Sequence, residues 1–375
     1  MESGLKGTEA PAGAISVVDS GLPHPDTARL IRCFFGLAAG FWSGPQSRRA
    51  WGLSTGFVLS LVANMAIALA INLWNKFFFD ALQNRDEGAL LWSIVYMVAL
   101  AIGAALAAIA LLQTRMRLQL RWREWLTSEL ISLWLGGRKP ACADTPESLD
   151  NPEARIAEDG RLSIEILVDL AGGVINTLLA LCSFSLVLWY VGGAIVVNGI
   201  TIPGYLVIVV VIYTGLTSVG MYLLGWPLIA RVEDKAQAEG NFRYELTKAR
   251  QNAGSTSGFG KDRGLLTRSF DALALLWMEL IGRQSKMACF SSGSSVLSAA
   301  IPLLLCAPKF LAGEMSLGDL MQASAAFVQV HAALNWPADN AMGLAHWAAS
   351  ARRVAALDLA CRQDAGVSCR EKINK

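Results

Sequence analysis

Long apolar runs with few charges alternate along this chain with charged stretches of helical periodicity, and the lengths of the runs set the architecture. Residues 51–73 are uncharged over a length that, at about 1.5 Å per residue, crosses a hydrocarbon core of about 30 Å. Comparable runs follow at 89–112, 166–191, 203–226, 288–311 and 317–336, which predicts six crossings. The second is rich in Ala and contains Gly103, and small residues let helices approach closely. The fourth starts on Pro203 and is expected to stop at Pro227; the fifth holds Pro302 and Pro308; the sixth is the most polar. Asn64 and Asn72 interrupt the first, as side chains that either bond a neighbouring helix or touch a ligand.

Between the runs, helical patterning continues into charge. After the second run, Arg115, Arg117, Arg121, Arg123, Glu124 and Glu129 alternate with Leu118, Trp122, Trp125 and Leu126, with no Pro or Gly from 113 to 135. A membrane helix that continues well past the bilayer is the consequence. Gly136, Gly137 and Pro140 break it, and a polar loop leads to Asp150-Asn151-Pro152-Glu153-Ala154-Arg155-Ile156-Ala157-Glu158-Asp159. These charges exclude that stretch from lipid, so it projects into water from the end of a helix pair. A second charged helical region spans 231–286.

Composition agrees. Hydrophobic residues make up 54% and charged residues 17%, against about 25% charged in soluble domains. The prediction is an all-α polytopic membrane protein: a disordered leader (1–28), a six-helix membrane domain (29–350) and a short C-terminal tail (351–375). Residues 29–41 have the pattern of a short amphipathic helix lying on the membrane surface. A net charge of +2 disfavours nucleic acid as a partner. The seven cysteines contain no C-x-x-C pair, and His24, His331 and His346 are far apart, so neither a disulfide frame nor a metal site is expected. No catalytic set in a pocket-forming context is present, so no catalytic residues are assigned.

Positive charge sets the orientation. The loop after the second run holds Arg115, Arg117, Arg121, Arg123, Arg138, Lys139, Arg155 and Arg161, and ten more Lys and Arg follow the fourth, against Lys76, Arg85 and Lys309 on the other side. By the positive-inside rule both termini are cytoplasmic.

Six crossings with short outer loops and long inner helical excursions resemble the membrane domain of an exporter-type ABC transporter. Specific residues resemble the bacterial YddA-like branch, related to peroxisomal fatty-acyl half-transporters and more distantly to SbmA/BacA peptide transporters. They are the run 75–86 (NKFFFDALQNRD), 122–127 (WREWLT), the stretch around Asp150, 202–205 (IPGY), 239–243 (EGNFR) and 317–322 (LGDLMQ). The resemblance implies a homodimer in the bacterial inner membrane and a nucleotide-binding ATPase domain as partner, which would carry ATP and magnesium. It also implies coupling contacts to that domain through Asp150, Asn151, Pro152, Arg155, Glu158 and Asp159, and through Glu239, Phe242, Arg243 and Asn252. The solute implied is hydrophilic or amphipathic, corrinoid or peptide-like.

The chain also departs from that pattern. After Arg352-Arg353-Val354 only a short tail follows, so the ATP-binding domain is expected on a separate chain or lost by truncation. The stretch 254–262 (GSTSGFGKD) is not a P-loop, because Ser255 stands at the first Gly position and Asp262 at the magnesium-binding hydroxyl. Gly254, Gly258, Gly260 and Gly264 predict a locally broken second excursion, since each Gly costs a helix about 1 kcal/mol. An ATP-independent, proton-driven SbmA/BacA-like transporter and a non-transporting remnant remain alternatives.

Candidate translocation residues lie on the sixth run: Gln322, Ser324, Gln329, His331 and Asn335. Gln322 and Gln329 are seven apart and share a helix face. Two readings fit this polar row, a water-filled path or hydrogen bonds between helices. His331 is either a proton-coupling group or a satisfied structural histidine.

Overall fold

Without a proline in 47–84 or 87–136, nothing interrupts the backbone hydrogen bonding of the first two helical runs, and each forms one rod. The computed structural model describes residues 27–44, 47–136, 152–197, 200–252 and 259–364. The first rods are α3 (Ser47–Asn84) and α4 (Glu87–Gly136), preceded by α1 (Thr27–Ala38) and α2 (Gly40–Ser43). At the turn between the rods Arg85 is left-handed, with φ 54°, and Asp86 caps α4 by accepting from the Ala89 N–H at 3.0 Å. Next come the short α5 (Pro152–Ala154), a π-turn (Arg155–Asp159) and α6 (Gly160–Gly192). A two-stranded hairpin, β1 (Ala194–Val197) with β2 (Ile200–Pro203), leads into α7 (Tyr205–Asn252) and α8 (Phe259–Leu311). The chain closes with α9 (Leu317–Asp339) and α10 (Ala341–Asp364).

Among the described residues, five helices are long and apolar enough to cross a membrane: Ser47–Asn84, Glu87–Leu135, Pro152–Gly192, Tyr205–Gly225 and Gly264–Leu311. The polar α9 is not among them, and its packing explains why it need not be. It is enclosed by α3, α6, α7 and α8, so its surface meets protein instead of lipid. With 50 and 53 residues, α4 and α8 are about 75 and 80 Å long, more than twice the hydrocarbon thickness.

Two cores divide the length of the bundle. One gathers Met65, Phe184, Leu188, Leu206, Val210, Ala326 and Phe327 around α9. The other joins Phe34 and Phe41 to Trp122, Leu126, Ile164, Trp347 and Val354.

Four expectations change. The fourth apolar run does not begin on Pro203, which closes the hairpin; its apolar span is Tyr205–Gly225, and the helix that carries it, α7, continues past Pro227 to Asn252. One lost backbone bond does not end a 48-residue helix whose other bonds remain. The uncharged loop 193–202 contains strands, anchored by Ala194↔Pro203 and Val197↔Ile200 pairing. Helix α1 buries Leu30, Phe34 and Leu37 in protein, against α10, so its apolar face is not left to lipid. Finally, α10 runs unbroken through residue 350, and Ala351, Val354, Ala355 and Leu357 are core, so the domain reaches well past the expected boundary. The leader (1–26) and Gly254–Gly258 lie outside the described residues, while Gly260 and Gly264 stand within helical α8.

Candidate translocation and coupling sites

Inside the bundle, α9 meets α7 through a polar cluster. His331 is 6% exposed, and both ring nitrogens are engaged. The Asn335 amide lies 3.1 Å from Nε2; an amide nitrogen only donates, so Nε2 accepts and the proton sits on Nδ1. Nδ1 then donates to Thr214 Oγ1 of α7 at 2.9 Å. The Ser218 hydroxyl donates to Asn335 Oδ1 at 3.1 Å, and the Tyr213 ring lies 5.1 Å from the imidazole. The geometry therefore engages both ring nitrogens of His331 and ties α9 to α7 through Thr214 and Ser218. Thr214, Thr217 and Ser218 escaped the sequence reading, although their spacing puts them on one face of an apolar helix.

The other residues of the row diverge. Gln322 is buried, and its backbone carbonyl accepts from the Asn72 amide of α3 at 3.2 Å. Ser324 donates to the Ala299 carbonyl of α8 at 2.9 Å. Gln329 is exposed, so the two glutamines do not share an environment despite sharing a face. Asn72 of the first run thus bonds a neighbouring helix.

At the end of the bundle where α9 begins, α3 supplies its capping groups. Ser316 and Asp319 form a capping box. Gln83 Oε1 accepts from the Leu317 N–H at 2.7 Å, and Asp80 Oδ1 from the Gly318 N–H at 2.9 Å. Lys76 pairs with Asp319 at 2.6 Å. A Cβ on Gly318 would collide with the Lys76 carbonyl and the Asp80 carboxylate, so only glycine permits this approach. Two stretches that carried the family resemblance, 75–86 and 317–322, are therefore one contact.

At the opposite end, the proposed coupling stretch is divided. Asp150 and Asn151 lie outside the described residues. Pro152 is half-buried, Glu158 exposed, and Ile156 packs into the core beside α10. Asp159 is buried and turned inward: Arg353 of α10 donates Nε to Oδ2 at 2.8 Å and Nη2 to Oδ1 at 2.7 Å. Its carboxylate is thus committed within the chain.

The second coupling region lies on the α7–α8 pair. Phe242 packs on Phe270 of α8, with centroids 5.7 Å apart, and Lys235 sits 3.6 Å from the Trp277 ring centroid. Glu239 and Arg243 are exposed; Asn252 ends α7, and its side chain is not among those described. The π-turn packs on α4, α6 and α10, so the two regions rest on different helices.

The family model for the ABC transporter transmembrane region 2 matches residues 41–311. An uncharacterized ABC transporter ATP-binding protein of Haemophilus influenzae is 28% identical over 71% of this chain and 46% of its own length. The inner membrane ABC transporter ATP-binding protein YddA of Escherichia coli is 27% identical over 83% of this chain and 58% of its own. The chloroplastic ABC transporter D family member 2 of Arabidopsis thaliana is 24% identical over 81% of this chain and 42% of its own. The chain spans about half the length of these relatives. With its long apolar helices and enclosed polar helix, this chain belongs to the ABC transporter transmembrane region 2 family and is a component of membrane transport.

Proposed function

We propose that the chain is the permease domain of an ABC half-transporter that works as a homodimer in a bacterial inner membrane, with both termini cytoplasmic. It moves a hydrophilic or amphipathic solute, corrinoid or peptide-like, and a nucleotide-binding domain supplies ATP hydrolysis with its magnesium. The observation that carries this reading is the length of α4, α7 and α8 beyond the apolar spans, with the exposed charges of Glu158, Glu239 and Arg243 on the charged segments outside those spans. Rigid helices of that kind transmit a tilt from a docking end to the membrane. Relatives named as ATP-binding proteins support an ATPase partner, and the excess of Lys and Arg on one side supports the orientation.

The test is reconstitution of the full chain in vesicles with the ATP-binding proteins encoded beside it. ATP-dependent movement of a labelled corrinoid or peptide is expected. Movement that survives ATP depletion and collapses with a protonophore would transfer the chain to the proton-driven class.

A further inference from the structure

Where α2 meets the start of α3 and the middle of α4, charged and apolar surfaces are sorted to either side of an aromatic cluster. The Phe41 and Trp42 rings lie 5.9 and 4.7 Å from Trp122. Phe41 borders a cleft of about 740 Å³ lined by Arg49, Arg117 and Arg121, with Glu124 its one carboxylate. Three guanidiniums less one carboxylate leave the lining at +2. Arg121 pairs with Glu124 at 2.8 Å and Arg117 donates to Gln113 at 3.3 Å, both on exposed surface. Arg49 is exposed and makes no ion pair among the described residues.

Trp42 and Trp122 border the other side, an almost wholly apolar groove of about 340 Å³ that also takes in Phe35, Val58, Leu118 and Ile175. Phe35 and Val58 are exposed there. Trp122 is 5% exposed, and its buried indole N–H has no acceptor among the described residues. The depth is also defined. Arg49 stands two residues before the uncharged run 51–73, and Arg117 five after the run 89–112, which is headgroup level for both helices.

We propose that this corner binds one anionic phospholipid of the surrounding membrane. The phosphate lies among Arg49, Arg117 and Arg121, and one acyl chain lies in the groove. Basic pockets beside membrane helices take anionic headgroups in this way. A zwitterionic headgroup brings an ammonium that three guanidiniums repel. The lipid would fasten α1 and α2 to α3 and α4 at the membrane surface.

The test is native mass spectrometry of the full chain, purified in detergent and mixed with phosphatidylglycerol or phosphatidylcholine. Phosphatidylglycerol should be retained in preference, and Arg49→Gln should lower its retention about fivefold. Val58→Trp, which fills the groove and leaves the charge unchanged, should lower it as well. Because Arg49 is exposed and unpaired, its variant keeps the test valid even where the Arg117 and Arg121 variants fail to fold. Equal retention of the two lipids, or no effect of Arg49→Gln, would overturn the proposal. Displacement by equimolar inorganic phosphate would reduce the site to an anion cleft and overturn the lipid assignment. A groove covered by a second copy would show as a dimer sensitive to Val58→Trp with lipid retention unchanged, which also overturns it. Neither ATP nor transport enters the measurement, so its failure is separable from failure of the transporter reading.

Discussion

Arg353 grips Asp159 with two parallel hydrogen bonds, 2.7 and 2.8 Å long, across 194 residues of sequence. The pair joins the last described helix to the turn that leads into α6. Asp159 is 11% exposed at its side chain and Arg353 52%, so water screens one partner and not the other. Arg353→Ala should therefore cost about 1–2 kcal/mol, below the 3–5 of a fully buried pair. Arg353→Lys should recover less than half of that, because an ammonium cannot fork onto both oxygens. A double-mutant cycle with Asp159→Ala, read from thermal unfolding in detergent, checks both numbers.

Gly318→Ala should loosen the α3–α9 contact by about 1–3 kcal/mol, as overpacking does in a filled site. Its Cβ meets a backbone carbonyl, which cannot swing aside as a flexible side chain can. Gln83→Leu should cost about 1 kcal/mol, since it removes one capping acceptor and adds no collision. Comparable melting temperatures for the two variants would contradict this assignment.

His331→Gln keeps a donor and an acceptor near Thr214 and Asn335, whereas His331→Leu offers neither. At about 0.6 kcal/mol for each side-chain bond inside a membrane, the Leu variant should lose roughly 1–2 kcal/mol of stability. Vesicle transport should persist in His331→Gln if ATP drives the cycle. Its abolition in that variant, with stability unchanged, would favour proton coupling.

Glu158→Lys and Arg243→Glu alter exposed charges only, and their effect on stability should stay within about 0.5 kcal/mol. If these residues meet the nucleotide-binding domain, solute-stimulated ATPase activity should fall severalfold while expression and melting stay unchanged. An ATPase rate equal to wild type in both variants would remove them from the coupling surface.

The helical rods were legible because apolar length is a local property, and nothing between 87 and 136 stops a helix. The hairpin was legible in principle: Asn198-Gly199 separates two short runs of β-branched residues, a turn signal hidden by the apolar run around it. Partner choice was not legible. That Asp159 faces Arg353 depends on how α10 folds back, which no spacing encodes. The same holds for Gln329, whose helical position matched Gln322 but whose neighbours did not.

The five residues Arg155–Asp159 wind more widely than the α-helix that continues from them, with the Gly160 N–H reaching back to Arg155. A π-turn holds one residue more than an α-turn over the same rise. Deleting one residue there would heal the winding and leave Pro152 and Glu153 near their present angle around the axis of α6, since the wider turn already takes up the extra residue. This single turn therefore acts as a slack point: it takes up a residue of chain length at the tip and leaves the aim of the tip relative to the membrane helices unchanged.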